Sequence, residues 1–89
     1  MIFLSKVDDI YRMQLIGACC REHRKNVLKI TLKEFQDKTG IPLKTVSNFE
    51  CGRSGNLYYM FYYINLTQET NQKTDFLRKI VSLVGEVLK

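Results

Sequence analysis

The stretch "LKEFQDKTGIPLKTVSNFECGR" (residues 32–53) contains two short apolar-periodic segments that are separated by Gly40. Thr31 precedes it, and with Glu34 three residues later it forms a capping-box pattern that predicts the start of a helix. Gly40 predicts the end of that helix, and Pro42 suits the first turn of the next one. The pattern therefore predicts two helices of about two turns each, joined by a tight turn.

The second of these helices has an apolar back and a polar front. It is expected to run to about Phe49 or Glu50 before Gly52 ends it, with Val46 and Phe49 as its anchors. Its remaining early positions are polar: Lys44, Thr45, Ser47 and Asn48. Two short helices with a glycine-bearing turn are typical of helix-turn-helix geometry, in which the second helix presents its early side chains to base edges in the major groove. The alternative for this polar set is a solvated helix face.

Three further helices are expected outside this stretch. One covers residues 5–28, one follows the N-cap residue Asn56, and one covers residues 74–89 after the polar connector "TQETNQKT". "MIFLS" at the start of the chain fits either a helix or an extended arm. The 89 residues are therefore expected to form a single all-α domain of about five helices, residues 1–89.

The segment "LYYMFYYINL" (residues 57–66) is rich in tyrosine. Helical spacing places one apolar face toward the core: Leu57, Met60, Phe61 and Ile64. The four tyrosines then lie around the sides: Tyr58, Tyr59, Tyr62 and Tyr63. Tyrosines beside a core stripe favour a protein interface over a stacking platform for single-stranded nucleic acid.

The last helix carries two apolar stripes, whereas a surface helix of a small domain needs only one. The first stripe consists of Leu77, Val81, Val84 and Leu88. The second consists of Phe76, Ile80, Leu83 and Val87. One stripe is expected to pack on the domain and the other, assigned to Leu77, Val81, Val84 and Leu88, on a partner, most simply a second copy. The alternative is a helix wedged into its own core.

The charge distribution favours an anionic partner. The formal net charge is +5, and residues 21–53 hold eight Lys or Arg against four acidic residues. A localised basic region is the electrostatic footprint of a protein that binds a phosphate backbone. A small soluble domain also needs some net charge for solubility, so charge alone does not decide the function.

Other classes of function find little support in the sequence. Three cysteines without a C-x-x-C spacing, and a single histidine, make neither a disulfide framework nor a zinc set. No nucleophile with its base and no phosphate-cradling glycine loop is present, so no enzymatic activity, metal or cofactor is expected. The start of the chain is far short of a signal peptide, and a cytoplasmic location without a membrane span is expected.

Residues 32–53 resemble the Cro/repressor-type (xenobiotic-response-element type) helix-turn-helix family. The positions that match the family pattern are Gly40, Ile41, Thr45, Val46, Ser47, Phe49, Glu50, Gly52 and Arg53. Upstream, Ile16, Gly17, Cys20 and Arg24 resemble the family's first helix, so the resemblance covers residues 16–66. It implies a lambda-repressor-like helix-turn-helix core in those residues, with residues 74–89 as an extra C-terminal helix and a possible dimerisation element.

The resemblance also implies roles for individual residues. The family's base-reading positions fall on Leu43, Lys44 and Asn48. Candidate contacts to the DNA backbone are Thr45, Ser47, Lys33, Lys38 and Arg53. The family's structural ion pair joins Glu50 to a basic residue of the first helix. Arg24 fits the register of Ile16 and Cys20 and is favoured, although it needs a loop one residue longer than the family pattern has. Lys25 is the alternative.

Two positions depart from the family pattern. Leu32 replaces a glutamine that often contacts phosphate, and Gln36 replaces a small alanine-like residue where the two helices approach closely.

The function implied is sequence-specific binding of double-stranded DNA by a small transcriptional regulator. A repressor of phage or mobile-element type, homodimeric on an inverted-repeat operator and acting by promoter occlusion, is the simplest form. One alternative is a helix-turn-helix antitoxin or inhibitor whose main partner is another protein. A further alternative, supported by Leu32 and Leu43 at usually polar positions, is a protein-binding module without DNA contacts.

Overall fold

The computed structural model describes residues 7–54 and 56–87 and contains five α-helices. They are α1 (Val7–His23), α2 (Leu32–Thr39), α3 (Leu43–Glu50), α4 (Met60–Leu66) and α5 (Thr70–Val87). A π-helical turn, Arg24–Leu28, continues α1, and a 3₁₀ turn, Leu57–Tyr59, leads into α4. Within these ranges there is no strand, so the predicted all-α class is confirmed. The two alternatives for residues 1–5, a helix or an extended arm, concern residues that lie outside the described ranges.

Short-range hydrogen bonds set the limits of α2, as the sequence predicts. The hydroxyl of Thr31 accepts a hydrogen bond from the backbone N–H of Glu34 at 3.1 Å. The Glu34 carboxylate in turn accepts one from the N–H of Thr31 at 3.1 Å, which completes the capping box. At the other end Gly40 takes a left-handed conformation, with φ of 79°, and its N–H bonds to the carbonyl of Gln36.

The end of α3 is held by a Schellman motif. The N–H of Gly52 bonds to the carbonyl of Phe49 at 3.1 Å, and the N–H of Arg53 bonds to the carbonyl of Asn48 at 2.9 Å. Gly52 has φ of 78°, and a Cβ atom there would lie 2.7 Å from the Cα of Gln14. Both the backbone conformation and the close approach of α1 therefore require glycine at this position.

One hydrophobic core joins all five helices. Its buried apolar members are Met13, Ile16, Cys20, Phe35, Ile41, Val46, Phe49, Leu57, Tyr63, Phe76 and Ile80. Helix α1 crosses the end of α3 so closely that a Cβ atom on Gly17 would lie 2.5 Å from the carbonyl oxygen of Phe49. This contact explains a glycine in the middle of a helix, where it otherwise costs about 1 kcal/mol. Helix α5 packs antiparallel along α1, since Phe76 lies against His23 and Lys79 lies near Cys19.

The predicted inner face of α4 is partly wrong. Leu57 is buried and Met60 and Ile64 are half-buried, but Phe61 is 46% exposed and Tyr63, expected on the flank, is fully buried. The reason is that the segment opens with a 3₁₀ turn and becomes α-helical only at Met60, which shifts the face that follows. A buried hydrogen bond for the Tyr63 hydroxyl makes this inward position stable.

The predicted start of α5 is also wrong, because the helix begins at Thr70 rather than after Thr74. The N–H of Lys73 already bonds to the carbonyl of Glu69 at 3.0 Å. The polar residues 70–72 are exposed, and they form a first turn that faces solvent and needs no apolar stripe. The connector between α4 and α5 therefore consists of residues 67–69 only.

Candidate nucleic-acid interface

Helix α3 has one buried side and one open side. Val46, Phe49 and Glu50 are buried beneath it. Lys44 and Leu43 are exposed, while Thr45, Ser47 and Asn48 are half-buried. Positions 44, 47, 48 and 51 recur at helical spacing, so they lie along one face that a ligand can reach. The structure thus places two of the predicted base-reading residues, Lys44 and Asn48, on the open side of a helix whose other side is anchored, while Leu43 is exposed at its first turn.

The back of α3 ends in a buried ion pair between Arg24 and Glu50. The Arg24 Nε atom lies 2.8 Å from Glu50 Oε2, and a second guanidinium nitrogen lies 3.1 Å from Oε1. A further nitrogen of the same guanidinium donates to the carbonyl of Ile30 at 2.8 Å. The expected pair is therefore present with Arg24, whereas Lys25 is exposed. The π-helical turn that starts at Arg24 is wider than an α turn and absorbs the extra residue that this partner requires.

Tyr63 completes the site around the Glu50 carboxylate. Its hydroxyl donates a hydrogen bond to Glu50 Oε2 over 2.8 Å. Burial, and then the neighbouring Glu50 charge, raise the pKa of the Tyr63 hydroxyl well above its usual range, so it stays a donor. Glu50, the last residue of α3, is thereby hydrogen-bonded to Arg24 directly after α1 and to Tyr63 on α4. Through the Arg24 guanidinium it is also linked to the loop at Ile30.

The basic residues of α2 lie on different sides of that helix. At 100° per residue, Lys33 lies about 60° and Lys38 about 160° from Gln36, whose side chain contacts the start of α3. Lys38 instead lines a depression beside Val27 and Gln68. Lys33 therefore lies closer than Lys38 to the side of α2 that contacts α3. Arg53 is exposed directly after α3.

The two departures from the family pattern have structural explanations. Leu32 is half-buried and packs against the core, so it is an apolar contact at the start of α2. Gln36 is half-buried, and its Oε1 atom accepts a hydrogen bond from the N–H of Leu43 at 2.7 Å. The space between α2 and α3 therefore holds a polar side chain that makes a defined contact.

A second buried polar group, around His23, was not predicted. The hydroxyl of Thr67 donates to the carbonyl of Tyr63 at 2.8 Å, so the Nε2 atom of His23, 2.6 Å from that hydroxyl oxygen, must be the donor to it. The ring also stacks on Phe76 with centroids 4.0 Å apart. Burial, with a smaller contribution from Lys79, lowers the pKa of His23 to about 4. No local pattern could have found this group, because Thr67 is 44 residues away.

The two stripes of α5 have different surroundings. Phe76 and Ile80 are buried and Leu83 is half-buried. Leu77 and Val81 are 38% and 64% exposed. The side chain of Val84 and all of Leu88 lie outside the described residues. The first two members of the predicted interface stripe are thus available to a partner.

A second apolar surface lies on α4 and the turn before it. Tyr58 is 56% exposed and contacts Phe61 and Tyr62 edge to face, with ring centroids 5.5 and 6.3 Å apart. Residues 54–68 contain no charged side chain. This aromatic surface, Tyr58, Phe61 and Tyr62, is therefore a further candidate for contact with a protein.

The cysteines are free thiols, Cys20 buried, Cys19 half-buried and Cys51 exposed at the end of α3. Burial raises the pKa of Cys20 and of Cys19 above the ordinary value. Across residues 7–54 and 56–87, no group of three or more His, Cys, Asp or Glu side chains is placed to hold a metal ion. None of the helices in the same ranges is long and apolar enough to cross a membrane.

No family model, no curated protein and no solved structure matches the chain significantly. The Cro/repressor-type resemblance of residues 32–53 therefore stays a prediction.

Proposed function

We propose that this protein binds double-stranded DNA in a sequence-specific manner through α3 and acts as a transcriptional regulator. The observation that supports this most directly is the division of α3 into two sides. Phe49 and Glu50 hold one side in the core, while Lys44 and Asn48 lie on the accessible side. A helix that is held rigidly from behind can present its side chains to the major groove in a constant geometry.

The side chains on the open face suit direct recognition of bases. Lys44 can donate to the O6 and N7 acceptors of guanine, and Asn48 can pair with adenine through two hydrogen bonds. Leu43, which is exposed at the first turn, can contact the methyl group of thymine. Each good contact of this kind contributes about 1–3 kcal/mol of discrimination between bases.

Backbone contacts are assigned to the residues that border α3. Lys33 is exposed on α2 and Arg53 is exposed directly after α3, while Thr45 and Ser47 bring hydroxyl groups. Such contacts position a protein without reading sequence, and the cationic ones release counterions on binding. With these two cationic phosphate contacts in each protomer, log K should fall with log[salt] with a slope of about −2 for each protomer bound.

A homodimer is the arrangement in which we expect the protein to act. Leu77 and Val81 lie one turn apart on the open side of α5, and two copies could bury them against each other. A two-fold dimer would read two half-sites about one helical turn apart, in inverted orientation. Such a complex on a promoter would repress transcription by occluding it.

The dimer is tested by sedimentation without DNA at tens of micromolar protein. We expect a dimer for the natural protein and a monomer for the Leu77→Glu/Val81→Glu variant. The matched variant Tyr58→Glu/Phe61→Glu introduces the same charges on the aromatic surface and should stay dimeric. A natural protein that sediments only as a monomer would exclude the homodimer, and dissociation only by the second variant would move the interface to α4.

The DNA-binding function is tested by selecting duplexes from a random pool at near-physiological salt. An enriched inverted repeat is the expected result, and the variant Lys44→Ala/Asn48→Ala should lose it while its melting temperature stays unchanged. Lys25→Ala/Asn65→Ala is the matched control, since it removes the same two side-chain types from exposed positions elsewhere. If Lys44→Ala/Asn48→Ala bound the selected duplex with the same affinity as the natural protein, α3 would be refuted as the recognition helix.

A helix-turn-helix antitoxin or inhibitor is the second candidate. The exposed Leu77 and Val81, together with the uncharged aromatic surface, favour it because a partner protein could cover both. It predicts that no duplex is enriched and that the protein aggregates alone but is soluble when co-expressed with its partner. Leu32 gives no support to a module without DNA contacts, since its side chain packs on the core.

A further inference from the structure

We infer that Gln36 is a positioning residue that fixes the first turn of α3 and with it the side chains of Leu43 and Lys44. The inference rests on the proposed DNA-binding function for its effect on base recognition. Its structural basis is one hydrogen bond between helices, in which Gln36 Oε1 accepts from the N–H of Leu43 at 2.7 Å.

The start of α3 needs an acceptor from elsewhere in the chain. The residue at its N-cap is Pro42, which has no side chain able to accept a hydrogen bond. The first bond within the helix runs from the N–H of Val46 to the carbonyl of Pro42 at 3.1 Å, so the N–H groups before Val46 have no partner inside α3. Gln36, seven residues before Leu43, supplies the missing cap from α2.

The same residue also ends the preceding helix. The backbone carbonyl of Gln36 accepts the hydrogen bond from the N–H of Gly40 at 2.8 Å. The main chain of Gln36 therefore caps the end of α2, and its side chain caps the start of α3. Within the turn, the Thr39 hydroxyl donates to the carbonyl of Phe35 at 2.8 Å and accepts from the N–H of Ile41 at 3.2 Å. These bonds hold the angle between the two helices at both ends of the turn.

The consequence for recognition differs along α3. Leu43 and Lys44 lie in the first turn, where the Gln36 cap acts. Asn48 lies a turn further on, beside Phe49 and the Glu50 ion pair that hold the helix from behind. Loss of the cap should therefore weaken discrimination at the base pair read by Lys44 and leave the one read by Asn48 unchanged.

The first measurement is hydrogen exchange of the Leu43 amide by NMR, which needs no DNA. Gln36→Met keeps the length of the side chain and removes the acceptor, and the amide should exchange about fivefold faster, the effect of one lost N-cap. Gln36→Glu keeps an acceptor oxygen and should restore protection. Gln72→Met, on an exposed residue of α5, is the matched control and should change nothing. An unchanged rate in Gln36→Met would overturn the cap.

The second measurement compares base preferences in duplex selection. The base pair read by Lys44 is first identified as the one at which Lys44→Ala abolishes the base preference. The base pair read by Asn48 is identified in the same way with Asn48→Ala. Gln36→Met should lower discrimination at the base pair read by Lys44 only. An equal loss of discrimination at the base pairs read by Lys44 and by Asn48 would mean that Gln36 has a merely structural role, and it would overturn the positioning role. If no duplex is selected by any variant while the exchange effect is present, the proposed function fails and the cap stands.

Discussion

Tyr63 on α4 donates its hydroxyl hydrogen bond to Glu50, the last residue of α3, over 2.8 Å in the interior of the protein. Glu50 also receives two hydrogen bonds from Arg24. The carboxylate is therefore satisfied by three donors from two other parts of the chain. Because buried charges are stable only when they are paired and hydrogen-bonded, the loss of any donor should be costly.

We expect Tyr63→Phe to lower the free energy of unfolding by about 1.5–3 kcal/mol, the range for a hydrogen bond to a charged group. The ring and its packing remain, so the effect isolates the hydroxyl. Urea denaturation measures it, with Tyr62→Phe on the half-buried neighbour as control, for which a change within about 0.5 kcal/mol is expected. Equal effects of the two variants would contradict the importance of the bond.

Arg24→Met should destabilise the protein by about 3–5 kcal/mol, because it leaves the buried Glu50 carboxylate without its cationic partner. Arg24→Lys should also be destabilising, since lysine cannot make the bidentate contact and also reach Ile30. Lys25→Met serves as the control, as Lys25 is exposed. If calorimetry showed similar melting temperatures for Arg24→Met and Lys25→Met, the ion pair would have no stabilising role.

Gly17→Ala should destabilise the fold by about 1–3 kcal/mol, although alanine is the better helix former. The added Cβ atom would lie 2.5 and 2.6 Å from the carbonyl oxygens of Phe49 and Glu50, which belong to backbone and cannot rotate away. Gly40→Ala is an informative comparison, because only its φ of 79° opposes the change and no atom lies near the new Cβ. A more stable Gly17→Ala protein in chemical denaturation would show that α1 and α3 can separate at no cost.

Stability should depend on pH through His23. The unfolded ring takes up a proton near pH 6.5, whereas the folded ring has a pKa of about 4, so the unfolded state binds more protons between these values. The neutral ring contributes on the order of 1–3 kcal/mol to the free energy of unfolding. This contribution is fully present above pH 6.5 and is lost as pH falls toward 4. The free energy of unfolding should be measured against pH for the natural protein and for His23→Gln, which keeps a donor toward Thr67. Parallel curves for the two proteins would argue against this titration.

The three thiols should differ in reactivity with a disulfide reagent. Cys51 is exposed and should react at once, while Cys20, buried and with a raised pKa, should react only when the protein unfolds. Cys19 should be intermediate. Counting the thiols modified over time, with Cys51→Ser to identify the fast one, checks the order, and rapid reaction of all three would mean that α1 is not packed as described.

The sequence by itself determined the all-α class, the limits of α2 and α3 and the N-cap at Asn56. The limits of α2, the end of α3 and the N-cap at Asn56 arise from bonds that span two to five residues, such as Thr31 with Glu34 and Gly40 with Gln36, so local residue types decide them. The start of α3 is marked by Pro42, and its capping bond from Gln36 spans seven residues. The choice of Arg24 over Lys25 also followed from the helical register. Only the tertiary structure decided the partners of Tyr63 and His23, which lie 13 and 44 residues away. Burial of a polar residue is favourable only where a distant partner satisfies it, and no pattern along the chain records where that partner will be.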